Sequence, residues 1–141
     1  MQATALIWPA VTLVGLTAMV WVVLYVRRIR ESQSKHIHPQ KLSNRQAAAQ
    51  LLEDTDAANN FSNLLEMPIL FYAVISISLA IDFVSSTMVM LEWAFVALRI
   101  VHSLIHITYN RVMHRFSVYI ISSLFVWAMW VVLALHLMQL P

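Results

Sequence analysis

The sequence from Ala5 to Val26 reads ALIWPAVTLVGLTAMVWVVLYV, and RRIR follows it directly at positions 27–30. The run has no charged residue and is long enough to cross the hydrocarbon core of a bilayer, which takes about 20 apolar residues in an α-helix. A cleavable signal peptide carries its positive charge before a shorter apolar stretch, whereas here the charge follows a long one. We therefore expect a retained membrane-spanning helix.

Three further apolar runs have a similar length, at residues 60–84, 88–108 and 117–138. The chain of 141 residues is 60% hydrophobic and only 11% charged, a composition that a soluble domain of this size does not need. Because backbone polar groups inside a bilayer must be satisfied within the protein, such runs favour helices. We predict one all-α membrane domain over residues 1–141, a four-helix bundle with up-and-down topology.

The chain contains no cysteine, so any thiol that takes part in its chemistry must come from a ligand. Its formal net charge is +2, but the basic residues occupy two short segments beside apolar runs, where anionic lipid headgroups attract them. We therefore expect membrane lipids, and no nucleic acid, as partners.

The basic residues also predict the orientation of the bundle, since Lys and Arg in short loops stay on the cytoplasmic side. They occur in the first and third connections, at Arg27, Arg28, Arg30, Lys35, Lys41, Arg45, Arg111 and Arg115, whereas the turn near Ser85 and the ends of the chain have none. We expect a multi-pass protein of a bacterial inner membrane with both termini on the periplasmic side and a long cytoplasmic loop over residues 27–58.

Local signals indicate how the connections are built. Ser43 and Gln46 have the spacing of a capping box, which predicts a short helix inside the long loop. Asp54, Thr55 and Asp56 offer N-caps for the second span. Only a few residues around Ser85 separate the second span from the third, which predicts a tight antiparallel hairpin.

Ionisable residues inside a bilayer are costly and usually face partners or a wet cavity. On the second span, Asn59, Asn63 and Glu66 have helical spacing and predict one polar stripe, and Ser62 lies four residues before Glu66. On the third span, Arg99, His102 and His106 predict a second stripe, which Asn110 continues into the loop.

The two stripes reach similar depths, because at about 1.5 Å per residue Glu66 lies about 9 Å inside Asn60 and His102 about 10 Å inside Tyr109. Arg99 is one turn deeper, and its long side chain can reach back to pair with Glu66. Such a pair is either a structural lock between the two helices or part of a functional site, and the spacing alone leaves both open. Pro68 predicts a kink or a loosened turn beside the carboxylate.

The remaining polar residues of the spans suggest no second site. Asp82, Glu92 and His136 come near the outer ends of their spans, and we interpret them as interfacial. His102 and His106 have the spacing of helical metal ligands, with Glu66 as a possible third, but no second carboxylate is near, so we predict no metal site.

The residues that carry these stripes resemble two signatures of the MAPEG family, the membrane-associated proteins in eicosanoid and glutathione metabolism. The sequence NLLEMPILF from Asn63 to Phe71 is similar to the family's Asn-x-x-Glu-x-x-Pro-x-Phe pattern on helix two, with Pro68 one position earlier. On the third span, the family's signature is matched by a second set of residues. These are Arg99 and His102, followed by His106, Tyr109, Asn110 and Arg115, and they resemble that signature. Arg27 and Arg28 after the first span also fit.

The resemblance implies a homotrimer that holds glutathione as co-substrate between neighbouring subunits, in a cleft that opens toward the cytoplasm. By residue-wise match, the implied binding residues are Arg28, Asn59, Asn63, Glu66, Arg99, His102 and Tyr109, and the implied catalytic residues are His106 and Arg115. Two positions depart from the pattern of glutathione-using members. Asn59 stands where they carry an arginine, and His106 stands where they commonly carry a tyrosine.

Three functions are consistent with the sequence. The first is a possible glutathione transferase or peroxidase that acts on hydrophobic electrophiles from the bilayer, favoured by Asn63, Glu66 and Arg99. The second is a non-catalytic binding or structural membrane protein on the same scaffold, favoured by Asn59. The third is a small transporter that uses Glu66, Arg99 and His102.

Overall fold

The computed structural model describes residues 3–139, with Arg45 described by its backbone alone. Every regular element in that range is helical. The helices are α1 (Thr4–Ser34), α2 (Arg45–Leu51), α3 (Asp56–Asn63), α4 (Met67–Ala80), α5 (Ser86–Ile107) and α6 (Val112–Leu137), and a 3₁₀ helix covers Pro39–Leu42. Four spans are long and apolar enough to cross a membrane: α1, α3 together with α4, α5, and α6. The prediction of an all-α protein with four membrane-length helices is confirmed.

The second span is broken where Pro68 predicts a loosened turn. Residues 64–66 form turns between α3 and α4, and Pro68 lies in the first turn of α4, where its missing N–H breaks no helical hydrogen bond. Glu66 precedes α4 with φ −93° and ψ −90°, outside the helical region. Glu66 therefore lies outside α3, the helix that carries Asn59 and Asn63, and its side chain is exposed.

The two ends of the bundle differ in charge. At the basic end, where α1 ends and α5 turns into α6, Arg27, Arg28 and Arg30 lie beside the loop that carries α2. At the opposite end, α4 and α5 are joined by residues 81–85, and Ser85 caps α5 by accepting a hydrogen bond from the Met88 N–H. Asp82 is exposed there, and the ring of His136 stacks on Phe83 at a centroid distance of 3.9 Å.

The short helix in the long loop is present, but its cap is one residue later than the capping-box pattern predicts. Asn44, rather than Ser43, is the N-cap of α2, and its side-chain oxygen accepts a 2.8 Å hydrogen bond from the Ala47 N–H. The residues around Ser43 continue from the 3₁₀ helix, so the chain becomes extended only at Asn44. An extended N-cap is what directs a side-chain oxygen at the first free N–H groups.

Helix α5 forms the centre of the bundle and packs against α6, α1 and α3. Its apolar contacts include the Phe95 ring, which lies 4.8 Å from the Phe71 ring of α4. The same face buries Glu92, whose side chain is fully inaccessible and whose two carboxylate oxygens have no partner within residues 3–139. The interfacial placement expected for Glu92 is therefore wrong. Glu92 lies seven residues, two helical turns, before the buried Arg99, so both belong to the face that α5 turns into the core.

Candidate functional site

Three polar side chains of α5 lie buried at the basic half of the bundle. Arg99 is 0% exposed, and His102 and His106 are each 1% exposed. Their spacing of three and four residues places them on one face, which turns toward α3 and α6. Fully buried ionisable groups of this kind are rare unless they are paired or serve a ligand.

Arg99 donates a hydrogen bond from Nη2 to the backbone carbonyl of Asn63. Its Cζ atom lies 5.5 Å from the centre of the Tyr119 ring, a cation–π contact. The other two nitrogens, Nε and Nη1, have no hydrogen-bond partner within residues 3–139. The guanidinium is thus a buried cation with unused donors.

The predicted ion pair between Glu66 and Arg99 is not formed. Among the described residues the ion pairs are those of Arg27 with Asp54 and of Lys35 with Glu31 and Glu53. The physical reason is the break after α3, because a continuous helix would bind the Asn63 carbonyl to the Met67 N–H. The break leaves that carbonyl to Arg99 and leaves the Glu66 carboxylate exposed, although still within electrostatic range of Arg99.

His102 is held in one tautomer by the backbone of α6. Its Nδ1 lies 3.1 Å from the carbonyl oxygen of Arg115, and because a carbonyl only accepts, Nδ1 carries the proton. In the neutral ring Nε2 is then an acceptor, and it has no partner in the described part of the chain. It can accept a hydrogen bond from an N–H or S–H group of a ligand.

His102 lines a cavity of about 230 Å³, here called the Tyr119 cavity, between α3, α5 and the first turns of α6. Its other lining residues are Asn63, Val112, Arg115, Phe116 and Tyr119. The Tyr119 ring lies 5.9 Å from the His102 ring, so it contacts both His102 and Arg99.

Arg115 is positioned by a chain of hydrogen bonds at the basic end. Its Nη1 donates to the Asn110 Oδ1 at 2.6 Å and to the His106 Nε2 at 3.1 Å. The Asn110 Nδ2 in turn donates to Asp56 Oδ1 at 2.6 Å, which ties the first residue of α3 to the turn between α5 and α6. Asn110 occupies the left-handed region with φ 44°, which asparagine tolerates better than most residues. These hydrogen bonds hold the Arg115 guanidinium at the rim of the Tyr119 cavity.

A second cavity, of about 360 Å³, lies between α1, α3 and the loop that carries α2, and is here called the Arg28 cavity. Arg28 and Asn59 both line it, together with apolar residues such as Leu52 and Phe61. The Arg28 Nη2 donates a 3.1 Å hydrogen bond to the carbonyl of Leu42, so the guanidinium holds the 3₁₀ helix against α1. Helix α3 contributes to both cavities: Asn59 lines the Arg28 cavity, and Asn63, one turn later, lines the Tyr119 cavity.

The loop is fastened to α1 by a cluster of charges beside the Arg28 cavity. The Glu31 carboxylate accepts hydrogen bonds from the Glu53 and Asp54 N–H groups, at 2.7 and 3.2 Å. Lys35 bridges Glu31 and Glu53 at 2.7 and 2.9 Å. Its hydrogen bond to Glu31, followed by that to Glu53, raises the pKa of the Lys35 ammonium. Arg27 adds contacts to Asp54 and to the Ile107 carbonyl, so α1, the loop and α5 meet here.

The structure brings together five of the residues singled out in the sequence and separates four. Asn63, Arg99, His102, His106 and Arg115 lie in or against the Tyr119 cavity. Arg28 and Asn59 line the other cavity, Glu66 is exposed at the break, and Tyr109 is exposed with its hydroxyl 3.3 Å from the His114 Nδ1.

Sequence reasoning missed two polar residues of this region, one half-buried and one fully buried. Tyr119 lies four residues after Arg115, one helical turn along α6, and that spacing was a usable signal. Asn60 is fully buried, and its Oδ1 accepts a 3.2 Å hydrogen bond from the Ser103 hydroxyl. Asn60 lies beside the stripe through Asn59 and Asn63. It is buried and Asn59 is exposed because of the way α3 packs on α5, which the sequence does not show.

No metal site forms within residues 3–139, where no three His, Asp or Glu side chains gather closely enough to hold an ion. The His106 Nε2, which a metal would need, faces the Arg115 guanidinium instead.

Comparison with known proteins gives one family match. The chain matches the MAPEG family over residues 6–135, which covers both cavities and nearly all of the four membrane-length spans. No curated protein and no solved structure matches it. Members of this family are membrane proteins of glutathione and eicosanoid metabolism. The chain therefore belongs to the MAPEG family.

Proposed function

We propose that this protein is a glutathione-binding membrane enzyme, a transferase or peroxidase that acts on hydrophobic electrophiles dissolved in the bilayer. The observation that carries the proposal is the buried Arg99 guanidinium, which has two nitrogens without a partner in the described chain. A buried cation without a counterion is costly, and an anionic ligand offsets that cost. Glutathione has two carboxylates and a thiol that can ionise, so it can supply the negative charge that compensates the Arg99 guanidinium.

The chemistry depends on making the thiol ionise. A free thiol has a pKa of about 8.5, and nearby cations or hydrogen-bond donors favour the thiolate, which is the nucleophile. Arg115 supplies a cation that lines the Tyr119 cavity, and Arg99 supplies a second one that contacts its lining residues Tyr119 and Asn63. The thiolate attacks an electrophilic carbon, its lone pair forms the C–S bond, and the electron pair of the broken bond leaves with the departing group. The thiol proton passes to water.

The proposed enzyme is a homotrimer in which glutathione contacts two neighbouring subunits, as the family resemblance implies. Two observations support an arrangement of this kind. The Glu66 carboxylate is exposed beside the apolar side chains of Leu65 and Ile69, which are 48% and 63% exposed. The implied binding residues are also divided between two cavities, because Arg28 lines one and His102 lines the other, so a single cavity of one chain does not offer both to a ligand.

The site differs from glutathione-using members at Asn59, which removes a bidentate carboxylate clamp. Arg28 is the cation of the Arg28 cavity and compensates for the missing clamp in this proposal. Its hydrogen bond to the Leu42 carbonyl is replaced by one to a glutathione carboxylate. A charged acceptor binds a guanidinium about twice as strongly as a neutral one.

The test is calorimetric titration of the purified protein in lipid nanodiscs with glutathione. We expect saturable binding in the wild type and at least a tenfold weaker affinity in Arg99→Lys and Glu66→Gln. The matched control is Arg30→Ala, which removes an exposed cation outside both cavities and should leave the affinity unchanged.

The outcomes separate the three functions. Absence of saturable binding in the wild type contradicts the enzyme, and binding without turnover of a chlorinated aromatic electrophile or a lipid hydroperoxide favours the non-catalytic protein. Flux of protons or solutes into liposomes that is lost in Glu66→Gln would favour the transporter instead.

A further inference from the structure

A second group of polar side chains is buried in the half of the bundle away from the two cavities. Glu92 of α5 and Ser78 of α4 are each 0% exposed, and Trp130 of α6 has its Nε1 buried. None of these side-chain polar atoms has a hydrogen-bond partner within residues 3–139. Buried polar groups in native proteins are hydrogen-bonded with few exceptions, so this group indicates a partner that the chain itself does not supply.

The Ser78 hydroxyl differs from other hydroxyl groups buried in the spans. Ser122 and Ser123 of α6 both donate to the carbonyl of Tyr119, in the preceding turn of their own helix. Such a bond is a common way for a helical serine to satisfy its hydroxyl. Ser78 makes no bond of this kind, so its hydroxyl remains available to a group on the core side of α4.

The helical register places Ser78 about one turn beyond Glu92, toward the connection at residues 81–85. The Phe71 and Phe95 rings are in contact and mark a common level of α4 and α5. Ser78 lies seven residues from Phe71, about 10 Å toward the connection. Glu92 lies three residues from Phe95, about 4.5 Å in the same direction.

Trp130 reaches a similar level from α6, which packs against both α4 and α5. The bond between His102 and the Arg115 carbonyl marks a common level of α5 and α6. From there Trp130 lies about 22 Å and Glu92 about 15 Å toward the connection. Helical side chains lean toward the N-terminus of their own helix, so Glu92 leans toward the connection, whereas Ser78 and Trp130 lean back toward Glu92. The three polar groups therefore converge in the core.

The Glu92 carboxyl has no cation beside it in the described chain. Arg99 is two turns away on α5 and donates to a backbone carbonyl of the second span. The apolar run of α1 has no charged residue, and the only ionisable side chain of α4 is Tyr72. At the far end of α6 the His136 ring is stacked on a phenylalanine, and the nearby Asp82 is exposed. Because an unpaired charge is far more costly in an apolar core than a neutral acid, these surroundings favour a carboxyl that holds a proton.

One water molecule matches the hydrogen-bonding groups that converge here. A buried water typically makes about three hydrogen bonds to buried polar groups that lack other partners. The Trp130 Nε1–H can only donate, whereas a carboxyl oxygen of Glu92 and the Ser78 hydroxyl can each accept. A water that accepts from the indole and donates to the other two therefore gives all three residues a partner.

We propose that Glu92, Ser78 and Trp130 form an internal site for one proton and one bound water, with the proton held on the Glu92 carboxyl. The inference goes beyond the proposed function and does not depend on the binding of glutathione. One water replaces bulk hydration only in part, so the site lowers the stability of the fold, as is typical of groups that serve binding rather than packing.

The experiment is infrared difference spectroscopy of the purified protein at neutral pH in dodecyl maltoside, a detergent without a carbonyl group. A protonated carboxyl has a C=O stretching band that an ionised carboxylate lacks. We expect this band in the wild type and its loss in Glu92→Gln. The matched control is Asp82→Asn, which removes an exposed carboxyl at the same end of the bundle and should leave the band unchanged.

Two further variants test the bound water. Ser78→Ala and Trp130→Phe each remove one hydrogen-bonding group of the water and keep the Glu92 carboxyl. A hydrogen bond to a carbonyl lowers its stretching frequency, so weaker binding of the water should move the band to higher frequency in both variants. In heavy water the wild-type band should shift, because the proton of the site exchanges for deuterium.

Two results would overturn the proposal. If the wild type and Glu92→Gln have the same spectrum in the region of protonated carboxyls, Glu92 holds no proton. If the band is present but stays at the same frequency in both Ser78→Ala and Trp130→Phe, the three residues share no water. Since neither of these two variants removes the carboxyl, the second result is obtained even if Glu92→Gln does not fold.

Discussion

Substitution of Asn110 should lower the free energy of unfolding, because its side chain makes two hydrogen bonds to charged residues. Its side chain donates to Asp56 and accepts from Arg115, each at 2.6 Å, and its backbone has φ 44°. Each bond involves a charged partner and contributes about 1.5–3 kcal/mol when buried. Both are only partly buried, so we take the lower end for each. Loss of both bonds therefore costs about 3 kcal/mol.

Two substitutions separate the side-chain contribution from that of the backbone. Asn110→Ala loses both hydrogen bonds and also places a Cβ without polar compensation in the left-handed region, for a total of about 4 kcal/mol. Asn110→Gly loses the same bonds but adopts this φ freely, so it should be about 1 kcal/mol more stable than Asn110→Ala. Arg111→Ala, at the adjacent exposed position with no side-chain capping bond, is the control and should change stability by less than about 0.5 kcal/mol.

The assay is equilibrium unfolding in mixed micelles of dodecyl maltoside and sodium dodecyl sulfate, followed by far-ultraviolet circular dichroism. If both Asn110 variants unfold within about 0.5 kcal/mol of the wild type, the hydrogen-bond reasoning is refuted. If the alanine and glycine variants are equally stable, the backbone part of the reasoning is refuted.

Three further predictions follow from other contacts. Glu92→Met, which replaces a buried carboxyl without a partner in the described chain by an apolar side chain of similar length, should raise the free energy of unfolding by about 1–3 kcal/mol in the same assay. Phe71→Ala, which removes the ring packed on Phe95, should lower it by about 3–5 kcal/mol, whereas a loss below about 1 kcal/mol would contradict the packing described. Glu31→Gln should weaken the attachment of the loop and speed proteolysis between α2 and α3, and unchanged cleavage would show that the carboxylate does not hold Glu53.

The sequence was sufficient for the helical spans because their signals are local. A run such as residues 5–26 must be a helix in a bilayer whatever surrounds it, and the effect of Pro68 on its own backbone is equally local. The same holds for the short helix in the loop, although the choice of cap between Ser43 and Asn44 depended on where the 3₁₀ helix ends.

The contacts of the site were less accessible because they depend on packing between helices. Matching depths made a Glu66–Arg99 pair reasonable, but the break after α3 offered Arg99 the Asn63 carbonyl instead. Helical spacing puts Glu92 and Arg99 on one face of α5. That both are buried follows only from the central position of α5 in the bundle.

The most direct test of the account is the effect of glutathione on the thermal stability of the wild type and of Arg99→Met. If Arg99 is a buried cation that awaits an anionic ligand, the methionine variant should be more stable than the wild type without glutathione, by about 1–3 kcal/mol. Saturating glutathione should raise the unfolding temperature of the wild type and leave that of the variant unchanged. A variant that is less stable than the wild type, or that is stabilised by glutathione to the same extent, would contradict the account.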